Sequence, residues 1–93
     1  MPKPAAPDGD AIALEILRQA VARGPAKSIC PSEVARAMAD VAPWQPLMDP
    51  VRQAALRLQH AGRIEILRKG KPVPAAAVRG VIRLRIAPEP EAP

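Results

Sequence analysis

Aromatic residues are nearly absent from this sequence, which contains a single tryptophan, Trp44, and neither Phe nor Tyr. Ile, Leu, Val, Met and Ala must therefore fill the core, which we expect to be aliphatic and thin. Bases of single-stranded nucleic acids and of RNA loops are commonly held by stacking on aromatic rings. A chain with one such ring is poorly suited to binding single strands.

Cysteine and histidine each occur once, as Cys30 and His60. One cysteine excludes an internal disulfide, and these two residues fall short of the four ligands of a structural zinc site. The sequence also contains no glycine-rich phosphate loop, nucleophile elbow or closely paired carboxylates. We therefore expect a non-catalytic protein with no metal, no other cofactor and no small-molecule substrate.

Long apolar runs are missing as well, since no stretch approaches the roughly 20 residues that span a bilayer. No charged start leads into an apolar run typical of a signal peptide, so the expected location is the cytoplasm. The 93 residues suffice for one core. We expect one domain over residues 8–86, with disordered Pro/Ala-rich segments at 1–7 and 87–93.

Charge is distributed unevenly along the chain, which has a formal net charge of +5. Residues 1–51 hold five Lys/Arg against six Asp/Glu, whereas residues 52–86 hold nine Lys/Arg against Glu65 alone. The excess of eight positive charges in the second segment is typical of a surface that binds a polyanion. An arginine-rich, solvated surface without a ligand is the alternative.

The first half of the chain predicts two helices. Asp8 or Asp10 can cap the first, which ends at Gly24, and its core-facing positions are Ile12, Ile16, Leu17, Ala20 and Val21. Cys30 occupies the cap position of the second, followed by Pro31 at the first turn and Glu33 three residues on. Val34, Ala35 and Met38 are expected to face inward. Ser28 and Ile29 predict a very short strand before this helix.

A third helix is predicted after the proline-rich turn that contains Trp44, whose indole is expected to plug the core. Asp49 and Pro50 resemble another cap followed by proline, and Gly62 stands where helix C-terminal glycines occur. One stripe of this helix carries the apolar residues Val51, Ala54, Ala55, Leu58 and Ala61. The opposite arc carries Arg52, Gln53, Leu56, Arg57 and His60.

Two strands follow the third helix. Ile64 and Ile66 alternate with polar residues in the first, and Ile82, Leu84 and Ile86 share one face of the second. Arg83 and Arg85 are then expected on the other face. The intervening thirteen residues, 68–80, are long for a hairpin and basic at their start, which predicts a wing.

This order of elements predicts a mainly α fold with a small hairpin, a winged helix-turn-helix of three helices and a two- or three-stranded antiparallel wing. The segments ICPSEVARAM, VRQAALRL, AGRIEILRKGKPV and RGVIRLR, together with the Trp44, Leu47 and Met48 turn, resemble a family of small bacterial proteins of unknown function. The resemblance spans residues 12–86 and implies a winged-helix-like fold, with no catalytic residues to carry over. That family commonly has a basic residue at the position of Leu56.

Eight residues are the candidate contacts to nucleic acid. They are Arg52, Gln53 and Arg57 in the third helix, Arg68, Lys69 and Lys71 at the start of the wing, and Arg83 and Arg85 on the second strand. Arginine suits guanine edges and phosphates, glutamine suits adenine, and a basic turn around a glycine can approach phosphates closely. A solvated helix face and a soluble edge strand are the respective alternatives.

Double-stranded DNA is the favoured partner of such a surface. The alternative is a protein-interaction module without a nucleic-acid role, which includes a homodimer formed through an exposed Leu56 and a self-pairing edge strand. Five phosphate contacts, from Arg57, Arg68, Lys69, Lys71 and Arg83, would give DNA binding a logarithmic salt slope of roughly −4 to −5. The protein-module hypothesis expects no such dependence.

Overall fold

The computed structural model describes residues 8–39 and 43–88. The predicted fold class is confirmed, because three helices pack on a three-stranded antiparallel sheet in a winged-helix-like arrangement. The helices are α1 (Gly9–Arg23), α2 (Pro31–Met38) and α3 (Met48–His60), and the strands are β1 (Ile64–Arg68), β2 (Lys71–Pro72) and β3 (Arg83–Ile86). Residues 1–7 and 89–93, predicted to be disordered, lie outside the described residues, as does the Val41 end of the tryptophan turn.

Helix α1 begins at the first of its two candidate caps. The Asp8 carboxylate accepts a hydrogen bond from the Ala11 N–H at 2.7 Å, which satisfies one of the free donors of the first turn. The expected inward positions Ile12, Ile16 and Ala20 are buried. The prediction for Val21 is wrong: this residue lies beyond the edge of the buried stripe and is exposed.

Helix α2 has the predicted start at Cys30. The Glu33 carboxylate accepts a hydrogen bond from the Cys30 N–H at 2.7 Å, and Pro31 occupies the first turn, where its missing N–H costs nothing. The other carboxylate oxygen of Glu33 accepts from Arg23 at 2.7 Å, which ties the end of α1 to the start of α2.

Helix α3 starts earlier than predicted. A 3₁₀ turn over Gln45–Leu47 runs directly into the helix, so Leu47 is the residue before it and Asp49 lies inside the first turn without capping a backbone N–H. The predicted cap at Asp49 is therefore wrong. Proline at positions 46 and 50 is compatible with this, since both stand where a helical N–H has no partner.

Glu33 and Asp49 are expected to contribute differently to the stability of the domain. We expect Glu33→Ala to lower the free energy of unfolding by about 1 kcal/mol or more, because both the bond from the Cys30 N–H and the ion pair with Arg23 are lost. Asp49→Ala is the matched control and should cost about 0.3 kcal/mol, since only attraction to the helix dipole is lost. Urea denaturation of the two variants measures the difference. An Asp49→Ala loss equal to that of Glu33→Ala would show that Asp49 caps α3 after all.

The sheet has the strand order β2-β1-β3. Ile64 pairs with Ile86 and Ile66 with Leu84, so these four residues lie on the face of the sheet toward the helices, whereas Leu67 lies on the other face. The predicted strand stub before α2 is a single bridge at Ile29. Its N–H and carbonyl exchange hydrogen bonds with Leu84 at 2.7 and 2.8 Å.

The core is aliphatic, as expected. Among the residues predicted to face inward, Val34, Leu58, Ile66 and Leu84 are buried, whereas Leu17, Met38 and Trp44 are only partly buried against the cluster. Ala61 in α3's predicted stripe is also exposed, because the helix has ended there. The other large side chains of the core cluster are Ile12, Ile16, Ile29, Val51, Ile64 and Ile82.

Trp44 does not plug the core. The Arg36 guanidinium lies 4.6 Å from the centre of the indole ring, a cation–π contact at the surface. The branched aliphatic residues of α1, α3 and the sheet fill the interior without it. No helix within residues 8–39 and 43–88 is long and apolar enough to cross a membrane.

Candidate nucleic-acid interface

The outer face of α3 presents two of the predicted contacts to solvent. Gln53 and Arg57 are exposed, because Val51, Ala54, Ala55 and Leu58 turn the opposite face into the core. The Arg57 guanidinium lies over Gly9, the first residue of α1, where a Cβ atom would collide with it. Arg57 therefore rests at the junction of α1 and α3, with its charge at the surface.

Arg52, the third predicted contact on this helix, is half-buried and has an internal partner. Its guanidinium donates a hydrogen bond to the Gly80 carbonyl at 2.6 Å. This bond ties α3 to the residues just before β3. Arg52 thus positions the connection between β2 and β3 as well as carrying charge.

That connection, residues 73–82, does not extend as a free wing. Gln59 donates a hydrogen bond to the Val73 carbonyl at 2.7 Å, and a 3₁₀ turn at Ala75–Ala77 contacts α3. Val73 and Val78 pack against the core cluster, so the segment folds along the helix. Leu56 is half-buried there, and the expectation that it is exposed is wrong.

The projecting wing is instead a tight hairpin between β1 and β2. Lys69 and Gly70 have φ angles of 54° and 79°, so both central residues are left-handed, as in the type I′ turn of two-residue hairpins. Arg68 pairs with Lys71 across the turn. We call Arg68, Lys69, Gly70 and Lys71 the hairpin tip. It carries three cations on four consecutive residues, of which Lys69 and Lys71 are exposed and Arg68 is half-buried.

The β3 arginines lie on the outer face of the sheet, as predicted, but both have partners. Arg83 donates to the Ser28 hydroxyl and carbonyl, each at 2.8 Å. Arg85 donates to one carboxylate oxygen of Glu65, its neighbour on β1, at 3.0 and 2.7 Å. Glu65 therefore compensates the Arg85 charge, and Arg83 serves to hold the strand stub against β3.

The comparison with protein families agrees with the resemblance noted in the sequence. A family model described as Protein of unknown function (DUF3253) matches residues 9–87. The chain belongs to this family. A comparison with curated proteins finds no match.

Beside its hairpin tip, the DUF3253 domain has a shallow groove of about 480 Å³. The apolar lining comes from Leu67 and from Val81, whose exposed fraction is 85%. Its polar lining comes from Ser28, Arg68, Lys69 and Arg83. Ser28 and Val81 were not predicted as part of a site, because only the Ile29–Leu84 bridge brings the segment before α2 beside the hairpin.

The single cysteine and histidine of this DUF3253 domain lie apart from any metal-binding cluster. Within the described residues, no three His, Cys, Asp or Glu side chains come together in a way that could hold a metal ion. The Cys30 sulfur accepts a hydrogen bond from the Ser32 hydroxyl at 3.0 Å. His60 is exposed at the last turn of α3.

Proposed function

We propose that this DUF3253 protein is a non-catalytic domain that binds double-stranded DNA, with the hairpin tip on the phosphate backbone. The observation that carries the proposal is the arrangement of Arg68, Lys69 and Lys71 around a tight two-residue turn. The pairing of β1 with β2 already orders the backbone of this hairpin. Its cations can therefore contact phosphates with little loss of backbone entropy on binding. Neither exposed lysine has an ion-pair partner among the described residues.

The backbone conformation of Lys69 supports a role for this residue beyond keeping the hairpin soluble. Within residues 8–39 and 43–88, it is the only non-glycine residue with a positive φ. A left-handed residue with a side chain costs about 1 kcal/mol, whereas Gly or Asn suits that turn position better. Strained residues of this kind concentrate at functional sites. A long cation at such a position favours a role in binding an anion.

Helix α3 supplies the part of the surface that could distinguish sequences. Gln53 and Arg57 are exposed on its outer face, and their amide and guanidinium groups match adenine and guanine edges in the major groove. Residues 73–82 cover one edge of this outer face. The exposed part of α3 is therefore narrower than that of an uncovered helix. We assign phosphate contacts to the hairpin tip and to Arg57, and base contacts chiefly to Gln53.

Duplex DNA is favoured over single strands because the chain has one aromatic ring, and the Arg36 guanidinium already lies over it. Stacking of unpaired bases would need further rings. Binding to chromosomal DNA would place the protein in the cytoplasm of a bacterium, a compartment that suits a single free cysteine.

Salt dependence of duplex binding tests this proposal. Four cations, Arg57, Arg68, Lys69 and Lys71, are placed to contact phosphates, because Arg83 and Arg85 are held by Ser28 and Glu65. We expect log Kobs to fall against log salt with a slope of about −3.6, near 0.9 per contact. Fluorescence anisotropy with a random duplex between about 50 and 200 mM salt measures it. A slope near zero, or a dissociation constant above about 1 mM at 50 mM salt, would contradict DNA binding.

A further inference from the structure

Helix α1 has an apolar stripe that faces solvent. Its inner face buries Ile12, Ile16 and Ala20. On the outer side, Leu14 and Val21 lie seven residues apart, two helical turns, with exposed fractions of 68% and 62%. They are two of the three large apolar side chains exposed in the described part of the chain.

The stripe continues onto the end of the sheet. Val21, Pro25, Ile86 and Pro88 line a shallow groove of about 310 Å³ between the end of α1 and the end of β3. Leu17, one turn before Val21, is half-buried beside it. Exposed apolar surface that extends over two elements is typical of a contact with another protein.

Two opposite charges flank this stripe at equal distances from Leu14. Asp10 is four residues before it and Arg18 four residues after it, and both are exposed. Arg18 uses its Nε and one terminal nitrogen to donate to Glu15 at 3.0 and 2.6 Å, and these bonds lower the pKa of Glu15. The Arg18 side chain is still 67% exposed, so its remaining N–H groups are open to a further partner.

A second copy of this chain matches that pattern. Two antiparallel α1 helices related by a two-fold axis at Leu14 bring the two leucines together. The same axis places Asp10 of one copy at the level of Arg18 of the other, twice per dimer. The surface around Leu14 is thus complementary in charge to a second copy of itself, as an interface with two-fold symmetry requires.

We propose that α1 forms the interface of a homodimer around Leu14, with Leu14 on the two-fold axis and Asp10 facing Arg18 of the second copy. The surface suggested by the sequence is a poorer candidate. Leu56 is half-buried, and the edge strand β2 is only two residues long and ends in Pro72, which cannot donate to a ladder. The proposal does not depend on DNA binding.

A charge-complementation experiment tests the pairing. Asp10→Lys places a lysine against Arg18 at both contacts, and Arg18→Glu places a glutamate against Asp10. Each variant alone should dimerise about tenfold more weakly than the wild-type chain, because like charges are juxtaposed twice. An equimolar mixture should recover the dimer as a heterodimer in which both contacts join opposite charges. One contact is the native Asp10–Arg18 pair, and the other joins the two substituted side chains. Sedimentation equilibrium at micromolar to about 100 μM chain measures all three samples, and a mixture that stays as weak as the single variants overturns the pairing.

Leu14→Asp tests the apolar centre of the same interface. It should weaken the dimer about 100-fold or more, since two carboxylates replace two leucines at the axis. Val81→Asp is the matched control: Val81 is also exposed but lies at the groove beside the hairpin, so this variant should dimerise normally. Circular dichroism melts check that both variants fold. A wild-type chain that is monomeric at about 100 μM, or a dimer indifferent to Leu14→Asp, overturns the proposal, whatever the outcome of the DNA experiment.

Discussion

Leu58→Ala is expected to lower the free energy of unfolding by about 2 to 5 kcal/mol. Leu58 is 8% exposed and lies in the core cluster on the face of α3 that meets α1 and the sheet. Truncation removes apolar contacts and leaves a cavity that a core without aromatic rings can fill only partly. A domain of 93 residues has a total stability of about 5 to 10 kcal/mol, so the loss is a large share.

Guanidinium or thermal denaturation of Leu58→Ala, with Val81→Ala beside it, measures this effect. Val81 is exposed, so the control should change the free energy of unfolding by less than about 0.5 kcal/mol. Equal stability of the Leu58 variant and the wild-type chain would mean that α3 is rotated, with Gln53 and Arg57 turned toward the core.

Reversal of both lysines at the hairpin tip, Lys69→Glu with Lys71→Glu, is expected to weaken binding to random duplex about 100-fold at low salt. Each lost charge-assisted contact is worth about 1.5 kcal/mol, close to tenfold in affinity. Since phosphate contacts carry no sequence information, the loss should be equal for all duplexes. Anisotropy titrations of several duplexes at about 50 mM salt measure it.

Two other variants distinguish the effect of where a charge lies on the domain from the effect of the net charge on DNA binding. Arg36→Glu makes the same charge change as either single reversal but lies on α2 over Trp44, so it should weaken binding less than Lys69→Glu. Gln53→Ala should leave the affinity for random duplex nearly unchanged and alter which sequences are preferred. If Arg36→Glu and Lys69→Glu weakened binding equally, overall charge and not the hairpin tip would be responsible.

Local patterns were sufficient to predict the fold class. Helical spacing identified the buried faces of α1, α2 and α3, and Asp8, Cys30 and Gly62 stand at or beside helix ends as predicted. These features depend on residues within a few positions of each other, so the sequence displays them directly. The errors at Val21 and Ala61 fall at the ends of apolar stripes, where periodicity cannot say how far the neighbouring element reaches.

The candidate site was predicted as a set of residues but not as a surface. The excess of cations in residues 52–86 is visible in the sequence, and five of the eight candidates, Gln53, Arg57, Arg68, Lys69 and Lys71, remain available on α3 and the hairpin. The partners of the other three were not predictable: Gly80, Ser28 and Glu65 are 28, 55 and 20 residues away from them in the chain. Only folding brings these groups together.

Three amphipathic helices, an antiparallel pair of strands and a basic C-terminal half can be predicted from the amino-acid sequence alone, because spacing, caps and charge are properties of the local chain. Tertiary structure decided which basic residues face solvent and which have internal partners. It also decided that residues 73–82 fold along α3 while Lys69 and Gly70 form the projecting turn. Val73 and Val78 are removed from water when residues 73–82 fold along α3, whereas an extended loop would leave them exposed. Which conformation is more stable depends on the apolar surface of α3 and the core against which the two valines pack.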